Sequence, residues 1–367
     1  MGEPLKKLTL KGFKSIESLV DFELRPLNVL IGANGSGKSN FVDFFRMLRA
    51  MADESLQSFV TEHGGADGFF YLGPKHTSRI SARLEFGRNA YEFELSATAS
   101  GRMMVRSEDI HWKDRPTGFR AQSGIGGPGR PESWLRTFKD EEPDGRAVCD
   151  AVANRTVYHF HDTSLLAGMR RDHSVRDRAA LRPDASNIAA FLLHLREKER
   201  ANYDLIRDAV RMIAPFFDDF LLEPETKGPE EKVRLEWRQK GSDFPFQAYQ
   251  LSDGTIRFIC LATALLQPEL PSTIVIDEPE LGLHPFAIGL LANLVQSAAE
   301  RTQVIVSTQS PALLDHFKPE DVVVVNREQG RSTFARLNAD ELREWLAEYS
   351  LAELWQKDVL QGGPAGE

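Results

Sequence analysis

The sequence feature that most constrains this chain is the octapeptide Gly-Ala-Asn-Gly-Ser-Gly-Lys-Ser at positions 32–39. It matches the pattern G-x-x-x-x-G-K-[ST] and lies between a short apolar run, 27–31, and a predicted helix that starts at Ser39. Glycines let the backbone curve so that consecutive N–H groups converge, and the helix N-terminus adds partial positive charge. The pattern therefore predicts a phosphate-binding loop between a buried strand and a helix.

The side chains of this loop predict a site for ATP with Mg²⁺. Lys38 would reach the β- and γ-phosphates, and the Ser39 hydroxyl would ligate the metal ion. Asn34 is a candidate for contact with the attacking water. The predicted nucleotide-binding positions of the loop are Gly32, Asn34, Gly35, Ser36, Gly37, Lys38, Ser39 and Asn40.

A second motif places two adjacent carboxylates, Asp277 and Glu278, after the apolar run 274–276. Isolated buried charges are costly, so such a pair at a strand end is expected to face a cation or a reacting group. Asp277 is the predicted Mg²⁺ ligand, through water, and Glu278 the predicted base that orients and deprotonates the attacking water. The alternative is that the pair is only the acidic start of a helix. This alternative is disfavoured because a phosphate loop precedes the pair in the sequence.

The third motif, Leu-Ser-Asp-Gly-Thr at 251–255, precedes apolar positions at helical spacing and predicts a capped helix N-terminus. Its place, one helix and a loop before Asp277, resembles the order of motifs in ABC-type ATPases, whose signature is Leu-Ser-x-Gly. In that family the signature of one protomer closes over the γ-phosphate held by another. The resemblance implies that Ser252, Asp253 and Gly254 contact ATP bound to a second copy.

Three stretches resemble the RecF-like and SMC-related branch of this family, which includes ATPases kin to OLD nucleases. They are Leu10 to Ile16, Pro26 to Asn40, and Glu278 to Pro285, which joins the carboxylate pair to a D-loop. The resemblance implies an α/β P-loop NTPase head with a mixed sheet, an N-terminal antiparallel β subdomain and an inserted helical lobe. The insert lacks heptads, so no coiled-coil arm is expected.

The predicted organisation follows from the motif positions and from shifts in composition. A stretch at 114–146, rich in Gly, Pro, Ser and Arg without periodicity, predicts a loop, and helical spacing of apolar residues predicts helices within 184–216. The predicted units are a head formed by 1–113 and 240–338, an inserted loop plus helical lobe at 114–239, and a helical tail at 339–367.

Several polar residues have family roles that the sequence leaves open. Gln309 stands where the family places a histidine on the γ-phosphate; glutamine can donate a hydrogen bond but cannot carry a proton, so slow turnover is expected. The family also uses a glutamine ahead of the helical lobe, for which Gln57 and Gln122 are both candidates. His284 in the D-loop is interpreted as structural, and His161 has no identifiable partner.

The net charge and the hydropathy of the chain limit the kinds of partner that we expect. The chain carries 45 Lys and Arg against 54 Asp and Glu, a net charge of −9, which argues against nucleic-acid affinity over the whole surface. Basic residues still cluster at 102–130 and 155–182, and these are either solvated faces or a DNA-binding patch. No apolar run approaches the ~18 residues of a membrane span, and no export signal precedes the motifs, so no membrane partner and a cytoplasmic location are expected.

These features together predict a slow ATPase that forms a head-to-tail homodimer around two ATP molecules. Its expected role is a switch in DNA metabolism or anti-phage defence, with DNA as one partner and an effector such as a separately encoded Toprim-type nuclease as another. Two alternatives remain. One is the energy subunit of a transporter, disfavoured by the long insert and by Gln309; the other is a scaffold that binds ATP and scarcely hydrolyses it.

Overall fold

The computed structural model describes residues 3–114, 118–122, 125–141 and 143–360. The strands in chain order are β1 (Leu5–Phe13), β2 (Ile16–Glu23), β3 (Leu27–Ile31), β4 (Ile80–Phe86), β5 (Asn89–Ala97), β6 (Met103–Asp114), β7 (Gly118–Gln122), β8 (Arg155–Tyr158), β9 (His173–Ser174), β10 (Phe217–Leu221), β11 (Glu225–Lys227), β12 (Glu230–Val233), β13 (Glu236–Gln239), β14 (Pro245–Gln247), β15 (Thr273–Asp277), β16 (Gln303–Thr308), β17 (Val322–Glu328) and β18 (Arg331–Arg336). The helices are α1 (Lys38–Ala52), α2 (Leu56–Glu62), α3 (Leu135–Glu141), α4 (Pro143–Ala153), α5 (Ile188–Lys198), α6 (Arg200–Ile213), α7 (Asp253–Leu266), α8 (Pro285–Ala299), α9 (Pro311–Leu314), α10 (Arg343–Leu346) and α11 (Leu351–Gln356).

A mixed sheet with strand order β18-β17-β3-β16-β15-β8 forms the centre of the molecule. Its strands β17, β3, β16, β15 and β8 are parallel, and β18 is antiparallel at one edge. In β15, Ile274 and Ile276 belong to a core shared with helices α5 to α8, whereas Val275 belongs to a core shared with α1. Burial on both faces explains why these strands are continuous apolar runs, as predicted.

The second large sheet is antiparallel, with strand order β2-β1-β4-β5-β6-β7. The predicted hairpin is confirmed as β4 and β5, which pair from Ile80 opposite Leu95 to Phe86 opposite Asn89. Alternate residues of β4 are buried, and they share a core with the aromatic face of α1. This sheet therefore covers the face of the central sheet on which α1 lies.

The predicted loop at 114–146 is wrong in part. Strand β7 pairs with β6, and helices α3 and α4 follow it. Strand β8 also lies within the range predicted as an insertion, 114–239, yet it pairs in parallel with β15 as the edge of the central sheet. The partner of β8 is distant in sequence, which local composition does not indicate. Strand β7 forms a hairpin with its neighbour β6, although its residues lack the alternation typical of a strand.

The lobe contains helices α5 and α6, within the range 184–216 where helical structure was predicted, together with two small sheets of order β10-β13-β14 and β11-β12-β9. It is thus a mixed α/β unit rather than a purely helical one. Near the C-terminus, α11 packs against α9 of the head. Among the helices of the described residues, none combines the length and the apolar character needed to cross a membrane.

Candidate functional site

The phosphate loop, residues 32–39, links β3 to α1 as predicted. Gly37 precedes the helix with a φ of 113°, in the region that favours glycine. A Cβ atom at this position would lie 2.0 Å from Ser332 Oγ of β18. Backbone conformation and close approach therefore both require glycine here. Asn34, Gly35 and Ser39 are exposed at the rim of the loop, whereas Ser36 is buried.

A chain of hydrogen bonds between side-chain hydroxyl and amide groups supports the backbone of this loop. Asn40 Nδ2 donates to Ser15 Oγ at 2.6 Å, the Ser15 and Ser332 hydroxyls lie 2.6 Å apart, and Ser332 Oγ donates to the Ser36 carbonyl at 2.5 Å. Because the last hydroxyl proton goes to a carbonyl, Ser15 must donate to Ser332. The side chain of Asn40 therefore supports the loop, and its predicted nucleotide contact stays a prediction.

Lys38 is almost fully buried at the first turn of α1. Its Nζ donates to the carbonyls of Gly32 and Ala33 at 2.7 and 3.2 Å, so the amine lies inside the curve of the loop. Burial lowers the pKa of Lys38, while the nearby carboxylates of Glu278 and Asp277 act in the opposite direction. The first and second motifs are thus brought together across the sheet.

The register of the parallel sheet explains why the phosphate loop and the two carboxylates lie close together. Asp277 is aligned with Ser307 of β16, and Thr308 is aligned with Ile31 immediately before the phosphate loop. The carboxyl ends of three strands therefore lie at one edge. Asp277 is 8% exposed, and its Oδ1 has no hydrogen-bond partner in the part of the chain that the structure describes.

Glu278 follows with a positive φ of 45°, which is uncommon for a residue with a Cβ atom. Its backbone N–H donates to the Ser307 carbonyl at 2.7 Å. Gln309, placed by β16 as predicted, donates from Nε2 to Glu278 Oε1 at 2.8 Å and from its backbone N–H to Oε2 at 3.3 Å. Gln309 therefore orients the carboxylate of Glu278.

The sequence interpretation missed a third carboxylate, Glu280. It is 7% exposed, and Thr308 Oγ1 donates to its Oε1 at 2.5 Å. Burial raises the pKa of Glu280 to about 7, and the neighbouring charge of Glu278 adds to the rise. Its position within the D-loop, residues 278–285, was the only indication of Glu280 in the sequence. Its burial follows from the fold.

The signature loop, residues 251–255, begins α7 as predicted. Ser252 is the N-cap, with its Oγ accepting from the Thr255 N–H at 3.1 Å, and both Ser252 and Asp253 are exposed. A Cβ atom on Gly254 would lie 2.3 Å from the Gly282 carbonyl, so glycine is needed where this loop meets the D-loop. Asp253 pairs with Arg170 at 2.8 Å.

His161 is a further residue that the sequence interpretation left without a partner. The end of β8 brings its Nε2 within 2.8 Å of the Asp277 carbonyl. Arg257 of α7 donates to the carbonyls of Phe160 and His161 at 3.0 and 3.3 Å, and also to that of Leu281 in the D-loop. Parallel pairing of β8 with β15 is the signal that would have found this histidine.

Other predicted candidates have different surroundings. Gln57 Nε2 donates to the carbonyls of Met103 and Pro131 at 2.9 and 2.6 Å, which ties α2 to the antiparallel sheet. The side chain of Gln122 lies outside the described residues. His284 caps α8 by accepting from the Phe286 N–H, so its structural interpretation is confirmed.

The basic cluster at 155–182 is largely engaged within the chain. Arg155 is fully buried, Arg170 is bound to the signature loop, and Arg178 and Arg182 pair with acidic residues at 3.0 and 2.7 Å. Within the other cluster, Arg115 lies outside the described residues. A DNA-binding patch at either cluster stays a prediction.

The donors present fit a hydrated Mg²⁺ ion beside a triphosphate. The unpartnered Oδ1 of Asp277 supplies a carboxylate oxygen, the ligand type that Mg²⁺ prefers. The exposed Ser39 follows Lys38 in the first turn of α1, at the end of the phosphate loop. These two residues would hold the ion.

Comparisons with known proteins agree with this geometry. The family described as "AAA domain, putative AbiEii toxin, Type IV TA system" matches residues 27–315. The OLD nuclease of Thermus scotoductus is 22% identical over 343 residues, which cover 89% of this chain and 62% of that protein. The Old nuclease of Escherichia phage P2 is 22% identical over 395 residues, covering 95% and 64%. The chain thus spans less than two thirds of these relatives.

A solved structure supports the fold. The Smc head bound to the C-winged helix domain of ScpA aligns with a TM-score of 0.55 and 15% identity, over 93% of this chain and 99% of that one. The described residues therefore form an α/β P-loop head with the fold of an Smc head, and none of their helices forms a coiled-coil arm. Because the family match covers most of the chain, the protein belongs to the family "AAA domain, putative AbiEii toxin, Type IV TA system".

Proposed function

We propose that the chain binds ATP with Mg²⁺ and hydrolyses it to ADP and phosphate, and that this cycle drives dimerisation of two heads. The observation that carries the proposal is the meeting of Lys38 with Asp277 and Glu278 at one edge of the central sheet. A cation for phosphates, a metal ligand and a base are the groups that phosphoryl transfer to water requires.

Each group has a distinct part in the proposed reaction. Lys38 leaves the Gly32 carbonyl and binds the phosphate oxygens, while the N–H groups of the loop bind the rest. Mg²⁺, held by Ser39 and Asp277, would neutralise charge on the phosphates. Glu278, oriented by Gln309, accepts a hydrogen bond and then the proton from the attacking water.

Slow turnover follows from the same arrangement. Gln309 donates an amide hydrogen to Glu278 and cannot exchange a proton with the phosphate. We therefore expect ATP to persist long enough for the nucleotide to act as a switch.

The dimer is proposed from the signature loop. Ser252 and Asp253 are exposed at the N-terminus of α7, which is a suitable end for binding an anion. In a head-to-tail dimer this end of one copy meets the phosphate loop of the other. The resemblance to ABC-type ATPases and the Smc-head fold support this arrangement.

The biological output is proposed from the relatives. Two of them are named nucleases, and the matched Smc proteins are named for chromosome partition. We place this chain in DNA metabolism or anti-phage defence, where it would act with DNA and with an effector such as a Toprim-type nuclease.

The test uses Glu278→Gln, which keeps the shape of the side chain and removes the base. Turnover should fall about 10²–10⁴-fold. The variant should accumulate as a dimer with Mg²⁺ and ATP, and as a monomer with ADP, by light scattering after gel filtration. Glu344→Gln on the exposed face of α10 is the matched control and should behave as wild type. A variant that hydrolyses ATP normally, or stays monomeric with ATP bound, would overturn the proposal.

A further inference from the structure

Both polar ends of the peptide unit between Asp277 and Glu278 are held, one by Ser307 of strand β16 and the other by His161, which lies three residues beyond strand β8. The Asp277 carbonyl accepts from His161 Nε2 at 2.8 Å on the β8 side. The Glu278 N–H donates to the Ser307 carbonyl at 2.7 Å on the β16 side. Because a peptide unit is planar, fixing both ends fixes its rotation. The orientation of this unit sets where the two flanking carboxylates point.

This peptide needs external support because Glu278 has a positive φ of 45°. A residue with a Cβ atom is held in this conformation only when its surroundings require it. On the β8 side, the donor is a histidine ring nitrogen that faces a carbonyl oxygen. Since a carbonyl can only accept, Nε2 of His161 must carry the proton.

The segment that carries His161 also reaches the signature loop. We call residues 159–170 the connecting segment. Arg257 of α7 donates hydrogen bonds to its backbone carbonyls at Phe160 and His161. At its other end, Arg170 donates to the Leu251 carbonyl and pairs with Asp253. One short segment therefore contacts both the metal-binding strand and the loop proposed to reach the second copy.

We propose that His161 is a positioning residue: it holds the Asp277–Glu278 peptide in the rotation that aims Glu278 at water and Asp277 at the metal ion. Through the connecting segment, the same contact fixes the position of the signature loop relative to the carboxylates. This inference rests on the proposed ATPase function and deepens it. His161 acts through Asp277 and Glu278 and does not touch the nucleotide.

The test compares His161→Phe, which keeps a ring and removes the donor, with His161→Gln, which keeps a donor at a similar reach. In the Phe variant kcat should fall about 10–100-fold, because small misplacements of reacting groups are costly. The Mg²⁺ concentration needed for half-maximal activity should rise, while KM for ATP stays within about threefold. The Gln variant should recover most of kcat and the wild-type Mg²⁺ dependence.

Controls separate positioning from folding. His63→Ala removes a histidine whose ring nitrogen also lies 2.7 Å from a backbone carbonyl, that of Phe59, and it should leave kcat unchanged. If the Phe variant unfolds at a lower temperature than wild type, His161→Ala replaces it in the same comparison.

The outcomes distinguish the two proposals. A wild-type protein that neither binds nor hydrolyses ATP overturns the proposed function and this inference with it. A wild-type ATPase whose His161→Phe variant keeps its kcat and Mg²⁺ dependence overturns the inference alone. So does a Gln variant that is as impaired as the folded Phe variant, because the donor would then not be what matters.

Discussion

Glu108 in the antiparallel sheet and Asp277 in the central sheet are both buried carboxylates, but their surroundings differ. Glu108 accepts from the Tyr91 hydroxyl at 2.5 Å, the Ser133 hydroxyl at 2.6 Å and the Trp134 N–H at 2.8 Å. Within the described ranges, Asp277 Oδ1 has no hydrogen-bond partner. The hydrogen-bonding capacity of Glu108 is thus met by its neighbours, whereas one oxygen of Asp277 is left without a partner in the described structure.

From this difference we predict that the antiparallel sheet serves stability and that this edge of the central sheet serves binding. A buried polar group left without a partner costs about 1–3 kcal/mol, so a fold keeps one mainly where a ligand will complete it. Ser36 Oγ and Ser307 Oγ also lack partners in the described structure, and both lie at the edge where Asp277 lies. The predictions below test this contrast.

Among the variants that test this contrast, the largest effect is expected on the activity of Asp277→Asn. We expect turnover with Mg²⁺ to fall about 10–100-fold, because a metal ligand is lost. The midpoint of thermal unfolding without nucleotide should stay level or rise, since the neutral amide costs less to bury than the carboxylate. Steady-state ATPase assays and calorimetry on one preparation check both halves. A variant that loses stability and keeps turnover would contradict the prediction, because Asp277 would then serve stability rather than binding.

Glu108→Gln should show the opposite behaviour. Its amide keeps one acceptor but places a second donor against the Trp134 N–H, which now donates to Oε2. The free energy of unfolding should fall by about 1–3 kcal/mol. KM for ATP and turnover should not change at a temperature where the variant is folded. Denaturant titration gives the first value, and a change in turnover would show that the two sheets are coupled.

The smallest effect concerns the pH dependence of stability through Glu280. Its pKa is raised from 4.5 to about 7 by burial and by Glu278. The unfolded chain therefore loses this proton first as pH rises, so stability should decrease between about pH 4.5 and 7 by about 1–3 kcal/mol. Glu280→Gln should flatten the wild-type curve in that window. Parallel curves for the two proteins would exclude this origin of the pH dependence.

The parts of the site that the sequence predicted are those encoded by contiguous residues. The phosphate loop, the end of β15 and the Ser252 cap each combine a local pattern with a structural element beside it. Their local structure could be predicted because the residue types and spacing are themselves the requirement, and the chemistry assigned to them stays a prediction.

The missed parts depend on pairing between distant segments. His161 reaches Asp277 only because β8 adds to the edge of the central sheet, and the pKa of Glu280 is raised because the fold buries its carboxylate. Strand β7 is a different case: it forms a hairpin with its neighbour β6, but its residues lack the alternation that would predict a strand. Register and burial are properties of the assembled sheet.

The central claim, that each nucleotide site needs the signature loop of a second copy, is tested most directly by mixing two inactive variants. Lys38→Ala lacks the phosphate-binding amine, and Ser252→Arg places a bulky side chain at the tip of the signature loop. Each variant alone should be inactive. A dimer with one copy of each variant has one complete site, so mixing equal amounts should restore ATPase activity that neither variant shows alone. A mixture of the two folded variants that stays inactive would contradict the account.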